Sequence, residues 1–135
     1  MPIQPELIII IDDEPDMLWA LENVLLKHGH IVRKADSASE ALSLMNREKF
    51  DVALLDAKLP DMEGLELAGM IKEKNPDISI IMISGYYYRD DDHMKKAVAS
   101  GLISNFVAKP FDHIELLSLV ESARSHPHPN SQISN

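Results

Sequence analysis

Residues 7–13 read Leu-Ile-Ile-Ile-Ile-Asp-Asp, five aliphatic side chains running straight into two carboxylates. An apolar run this short, with no polar alternation, suits a strand covered on both faces, as in a parallel sheet. Paired carboxylates at the end of such a strand are costly unless something uses them. In open parallel sheets, ligands bind beyond the carboxyl ends of the strands, where the winding reverses. Asp12 and Asp13 therefore mark the end of the fold at which chemistry is expected.

The pattern repeats along the chain. Strands are expected at Leu7–Asp12, His30–Lys34, Asp51–Asp56, Ile78–Ser84 and Ile103–Ala108. Helical periodicity fills the intervals. Asp16–His28 repeats Met17, Leu18, Leu21, Val24 and Leu25 at helical spacing. A helix opening at Ser37, with Glu40 as its capping-box partner, puts Ala41, Leu42 and Met45 on one face. Gly64–Lys74 repeats Leu65, Ala68 and Ile71. Asp91–Ser100 is more polar. Asp112–Ser122 carries a second capping box, Asp112 with Glu115, and its apolar set is Ile114, Leu117 and Val120 with Leu116 alongside. This alternation predicts an α/β domain with a parallel sheet and right-handed crossovers.

Bulk properties narrow the function. At 135 residues the chain is long enough to bury a core. Its formal net charge of −9 disfavours direct binding of nucleic acid or an anionic membrane. There is no cysteine, so disulfides and thiolate metal sites are excluded, and a reducing cytoplasm fits. No apolar run is long enough to span a bilayer, and the N-terminus lacks a signal-peptide pattern. The polar, proline-bearing tail 125–135 reads as a disordered terminus or linker.

The strand ends collect a particular set of groups: Asp12 and Asp13, then Asp56, then Ser84, then Lys109 before Pro110. Each has an ordinary reading alone, as a turn acid, a helix cap or a surface lysine. Together, at four strand ends, they form a reaction set. Three clustered carboxylates repel unless a cation joins them. Hard oxygen ligands favour Mg²⁺, Mn²⁺ or Ca²⁺. A carboxylate nucleophile, a divalent ion, a lysine and a hydroxyl are the parts that phosphoryl transfer requires.

Four ordered motifs, "IIIIDDEPDM", "DVALLDAKLPDMEG", "IIMISGY" and "FVAKPF", resemble the receiver domain of two-component response regulators over about residues 5–124. The resemblance implies a flavodoxin-like fold, a doubly wound five-stranded sheet of order 2-1-3-4-5. It implies that Asp56 accepts a phosphoryl group from a phosphohistidine on a sensor histidine kinase or phosphotransfer protein. Asp13 would bind Mg²⁺ directly, Asp12 largely through water, and the backbone carbonyl of Lys58 would complete the protein ligands, with Mn²⁺ as an alternative ion. Lys109 would pair with the phosphoryl oxygens, and its bond to Pro110 would be cis. Ser84 would bond a phosphoryl oxygen and Phe106 would turn inward as the switch aromatic. Tyr86 and Lys58 would flank the pocket and shield the acyl phosphate. The implied protein is a bacterial, cytoplasmic phosphorelay switch rather than a turnover enzyme. It would be a monomer or a phosphorylation-dependent homodimer, with an output partner or domain beyond this sequence.

The sequence departs from the family pattern in carrying Phe106 where tyrosine is commoner and Gly85 where alanine is commoner. The stretches Ser84–Gly101 and Gly101–Phe106 are also slightly long. Other readings fit less well. An aspartate-nucleophile phosphatase of the haloacid-dehalogenase type needs a second aspartate where Lys58 stands. A flavin carrier needs a Ser/Thr/Gly-rich phosphate loop after the first strand, and none is present. A binding module that never carries phosphate would not need the complete set.

Overall fold

The computed structural model describes residues 5–85 and 92–125. Five strands, β1 (Leu7–Ile11), β2 (Ile31–Ala35), β3 (Val52–Asp56), β4 (Ser79–Ser84) and β5 (Asn105–Ala108), alternate with five helices. The helices are α1 (Pro15–Lys27), α2 (Ala38–Met45), α3 (Gly64–Lys74), α4 (Asp92–Ala99) and α5 (His113–Ser125). All strand pairs are parallel, in the order β2-β1-β3-β4-β5. This is the flavodoxin-like doubly wound sheet. The winding reverses between β1 and β3, so the crevice above that pair is the place for a site.

The two-residue period of a strand explains the run of four isoleucines. Ile9 and Ile11 face one side, joining Ala53, Leu55, Ile80 and Met82 beneath α2, α3 and α4. Ile8 and Ile10 face the other, with Val52, Leu54, Ile81 and Ile83 beneath α1 and α5. Each face is sealed by helices, so every position in the run is apolar and all four isoleucines are fully buried.

Local signals set several boundaries. Pro15 opens α1 at its first position, where a missing N–H costs nothing. The capping box of α2 is present: Ser37 Oγ accepts from the Glu40 N–H at 3.1 Å. Glu40 Oε1 in return accepts from the N–H of Asp36, at 2.8 Å. Replacing Ser37 by alanine is expected to cost about 1 kcal/mol, read as a lower urea midpoint at constant slope. At α5, Asp112 Oδ1 accepts from the Glu115 N–H at 2.7 Å.

Some expectations need correction. Ile103 lies before β5 rather than in it, although it is buried. α3 buries Leu67, Ala68 and Ile71, and Leu65 is only half-buried. α5 buries Leu116 and Val120, while Ile114 is 79% exposed. In α5 the apolar residues nearly encircle the helix, so spacing alone did not fix which stripe faces the sheet. The helix also continues to Ser125, beyond the expected Ser122.

Candidate functional site

The sheet ladder carries the reactive side chains to one level. Ile11 pairs with Leu55 and Asp56 pairs with Ile83, so Asp12 and Asp56 emerge together above the β1–β3 crevice. Backbone bonds extend the ladder past the strand ends. The Asp12 N–H donates to the Ala35 carbonyl at 3.0 Å, Ala57 to Ile83 at 2.9 Å and Lys109 to Ser84 at 2.8 Å. The Lys109–Pro110 peptide bond is cis. The site is thus held on rigid strand termini.

Asp12, Asp13 and Asp56 can each place a carboxylate oxygen within 4.8 Å of the others. Asp12 and Asp56 are buried, and Asp13 is exposed. Asp12 Oδ1 accepts from the Glu14 N–H at 2.9 Å. Among the described residues its buried Oδ2 has no hydrogen-bond partner, and the Lys109 ammonium lies 3.6 Å away. Asp56 Oδ1 accepts from the Lys58 N–H at 3.2 Å. Its Oδ2 lies 3.9 Å from Lys109 Nζ, beyond hydrogen-bond reach. Asp13 and Asp56 bound a cleft of about 690 Å³ that is also lined by Glu14, Ala57, Lys58, Gly85 and Lys109.

Burial dominates the electrostatics of the site. Burial pushes the Asp56 carboxyl up to about 6, opposed by the Lys58 N–H and Lys109 and assisted by Asp12 and Asp13. Burial likewise raises Asp12. Burial works against the Lys109 ammonium. The Glu14 hydrogen bond and the Asp12 and Asp56 charges outweigh it and hold Lys109 above the usual lysine range. A hard divalent cation suits this donor set. The ligands are all oxygen, one buried lone pair is orphaned, and adjacent carboxylates need neutralising.

The other expected residues are placed as follows. Ser84 is fully buried, and its hydroxyl donates to the Val107 carbonyl at 3.4 Å, so it points along β5 rather than into the cleft. Phe106 is half-buried and packs against the core beneath α4. Lys58 is exposed at the cleft rim. Tyr86 lies outside the described residues.

Two contributors escaped the sequence reading. Glu14 Oε1 accepts from Lys109 Nζ at 3.0 Å, across 95 positions of sequence. Asp61, in the loop after β3, accepts from the N–H groups of Ala38 and Ser39 at 2.9 and 3.1 Å. It thereby ties that loop to the start of α2, and those two N–H bonds hold its carboxyl below the usual range. The only local signals were an acid following the Asp12–Asp13 pair and an acid in a turn. Neither names a partner.

Comparison with known proteins agrees with this geometry. The family profile for the response regulator receiver domain matches residues 8–121. The chain is 33% identical over 126 residues to the DNA-binding transcriptional regulator NtrC of Proteus hauseri, covering 93% of this chain and 26% of that protein. It is 35% identical over 116 residues to an uncharacterized 14.6 kDa protein of Leptolyngbya boryana, covering 84% of this chain and 86% of that one. Among solved structures, a CheY-like response regulator receiver domain protein from Methanospirillum hungatei superposes with TM-score 0.80 at 30% identity, over 88% of this chain and 93% of that one. NtrX of Brucella abortus superposes with TM-score 0.86 at 28% identity, over 97% of this chain and 29% of NtrX. The chain thus spans about a quarter of the NtrC relative's length. Among the described residues no helix is long and apolar enough to cross a membrane.

Proposed function

The chain belongs to the response regulator receiver family, and from that premise we propose that it is a phosphoacceptor switch with Asp56 as the accepting residue. The observation that carries this reading is the pair of oxygens on Asp56. Oδ1 accepts from the Lys58 N–H, while Oδ2 has no hydrogen bond among the described residues and lies 3.9 Å from Lys109 Nζ. One oxygen orients the carboxylate and the other is free to attack.

A sensor histidine kinase or phosphotransfer protein supplies the phosphoryl group as a phosphohistidine. Asp56 Oδ2 forms the new P–O bond as the P–N bond breaks, and the imidazole nitrogen keeps the bonding electron pair. Asp12, Asp13 and Asp56 would hold Mg²⁺, or Mn²⁺ in its place, together with the Lys58 carbonyl. Such an ion supplies positive charge to the phosphoryl oxygens as negative charge develops on them. Lys109 adds the second positive contact. Water later attacks the acyl phosphate, restoring the carboxylate and releasing phosphate.

In this reading residues 5–124 form the receiver and 125–135 lead out of it. Ser84 turns from the Val107 carbonyl to the new phosphoryl oxygen, and Phe106 follows inward. The change at α4, β5 and α5 alters the choice of output partner or of a second copy. Lys58 and Tyr86 flank the acyl phosphate and govern its lifetime. The setting is a bacterial cytoplasm, and nucleic acid is reached only through an output partner or domain.

Incubation with acetyl phosphate tests the reading by intact mass. A gain of one phosphoryl group is expected, dependent on Mg²⁺ and absent in Asp56→Asn. Lys109→Ala is expected to slow the gain by about 100-fold. An undiminished gain in Asp56→Asn would overturn the assignment.

A further inference from the structure

Glu14 occupies the N-cap position of α1, yet its side chain caps nothing there. Glutamate is longer than the Ser, Thr, Asp and Asn side chains that usually cap a helix's own N–H groups. This one turns instead to Lys109, joining the β1–α1 turn to the β5–α5 turn at 3.0 Å. Of the three carboxylates around the ammonium among the described residues, Glu14 alone lies at hydrogen-bond distance, with Asp12 at 3.6 Å and Asp56 at 3.9 Å. The Glu14 backbone is pinned on both sides. Its N–H donates to Asp12 Oδ1, and its carbonyl accepts from the Leu18 N–H at 3.1 Å. The point from which the side chain reaches out is therefore fixed by the turn.

We propose that Glu14 is a positioning residue for Lys109. It holds the ammonium at the pocket rim, off the attacking oxygen of Asp56, and cedes it to the phosphoryl group once that group is in place. This inference rests on the phosphoacceptor reading above. An ammonium seated on Asp56 Oδ2 would occupy the lone pair that has to reach phosphorus. The Glu14 contact keeps Lys109 close without blocking that oxygen. Drawing Lys109 onto the phosphoryl group would weaken the Glu14–Lys109 contact, so Glu14 sets part of the balance between the resting and phosphorylated arrangements. The Glu14 side chain is 62% exposed, so the effect belongs to the modest class of rim ion pairs, about two- to fivefold in an equilibrium constant.

The test uses beryllofluoride, a stable phosphoryl mimic, with Mg²⁺ and the full chain, with binding followed by amide NMR shifts. Glu14→Gln is expected to tighten binding about two- to fivefold. Glu14→Asp separates contact from charge. It keeps the carboxylate but is one methylene too short for the contact, so it should behave like Glu14→Gln. In a Lys109→Ala background the gain from either variant should vanish. The Asp56 carboxyl ¹³C shift, read without metal or anion, should move in both Glu14 variants as Lys109 settles on Asp56, and should stay put when Lys109 is alanine. Wild-type behaviour in Glu14→Asp, or an equal gain with and without Lys109, would mean that Glu14 acts by charge alone and would overturn the proposal. Failure of the wild type itself to bind beryllofluoride with Mg²⁺ would instead overturn the phosphoacceptor reading beneath it.

Discussion

Asp56→Asn is expected to make the metal-free protein more heat-stable at pH 7, by about 5–10 °C. The folded carboxyl titrates at about 6 against 3.8 for the unperturbed group, mainly because it is buried. The folded state therefore binds its proton more tightly than the unfolded chain does. Between those two values stability falls as pH rises, because folding has to keep a proton that the unfolded chain has already released. Below about pH 4 both states are protonated and the penalty is gone. Above about pH 6 it is fully present, at roughly 2–3 kcal/mol. Asparagine preserves the shape and an acceptor for the Lys58 N–H while removing the charge. For a domain of this size the difference corresponds to several degrees in Tm. Calorimetry in EDTA at pH 7 and pH 4 checks it: the gain should be large at the first and near zero at the second. Adding Mg²⁺ should reverse the ranking at pH 7, because the proposed ion site keeps its full carboxylate set in the wild type alone. An equal gain at both pH values would show that the stabilisation does not arise from the Asp56 charge.

The second large effect is expected at Gly64. A Cβ built there would lie 2.6 Å from the Asp56 carbonyl oxygen, 2.8 Å from the Ala57 Cα and 2.9 Å from the Ala57 carbonyl oxygen. All three are backbone atoms, so no side chain can swing away. The Gly64 N–H also donates to that Ala57 carbonyl at 2.7 Å, fastening the start of α3 against the end of β3, where Asp56 lies. Gly64→Ala is expected to cost about 2–4 kcal/mol and to displace the end of β3. Acetyl phosphate labelling should then fall more steeply than stability alone accounts for. Gly69→Ala, in the middle of the same helix, is the control. Nothing lies within 4 Å of its would-be Cβ, and it should stabilise by about 0.5–1 kcal/mol. Chemical denaturation of the two variants decides the matter. A neutral Gly64→Ala would mean that the loop above α3 is slack.

These two sites also mark how far the sequence could be read. The isoleucines at 8–11 announced a strand buried on both faces, and the structure buries all four. The α3 bounds Gly64–Lys74 were legible from periodicity, since a helix bounded by breakers has few alternatives. The carboxylates at the β1 and β3 ends were legible because parallel topology puts strand ends on one side. What escaped reading was long-range. The reason for glycine at 64 is the backbone of Asp56 and Ala57, which spacing does not reveal. Glu14 meets Lys109, and Asp61 meets the N-terminus of α2, only because turns far apart in sequence converge. The core stripe of α5 was misassigned because Ile114 and Leu116 are equally apolar and only packing distinguishes them. The Ser84 hydroxyl donates to the Val107 carbonyl, a rotamer choice that sequence does not encode.

The central claim is that Asp56 itself carries the phosphoryl group. Its most direct test is residue-level mapping after incubation with acetyl phosphate and Mg²⁺. Borohydride reduces an acyl phosphate of aspartate to homoserine, leaving a permanent mass change at the modified residue. Peptide sequencing by mass spectrometry should place homoserine at position 56 alone, and nowhere when Mg²⁺ is withheld. Homoserine at Asp12 or Asp13 instead, or at no residue of a folded chain that binds Mg²⁺, would contradict the account.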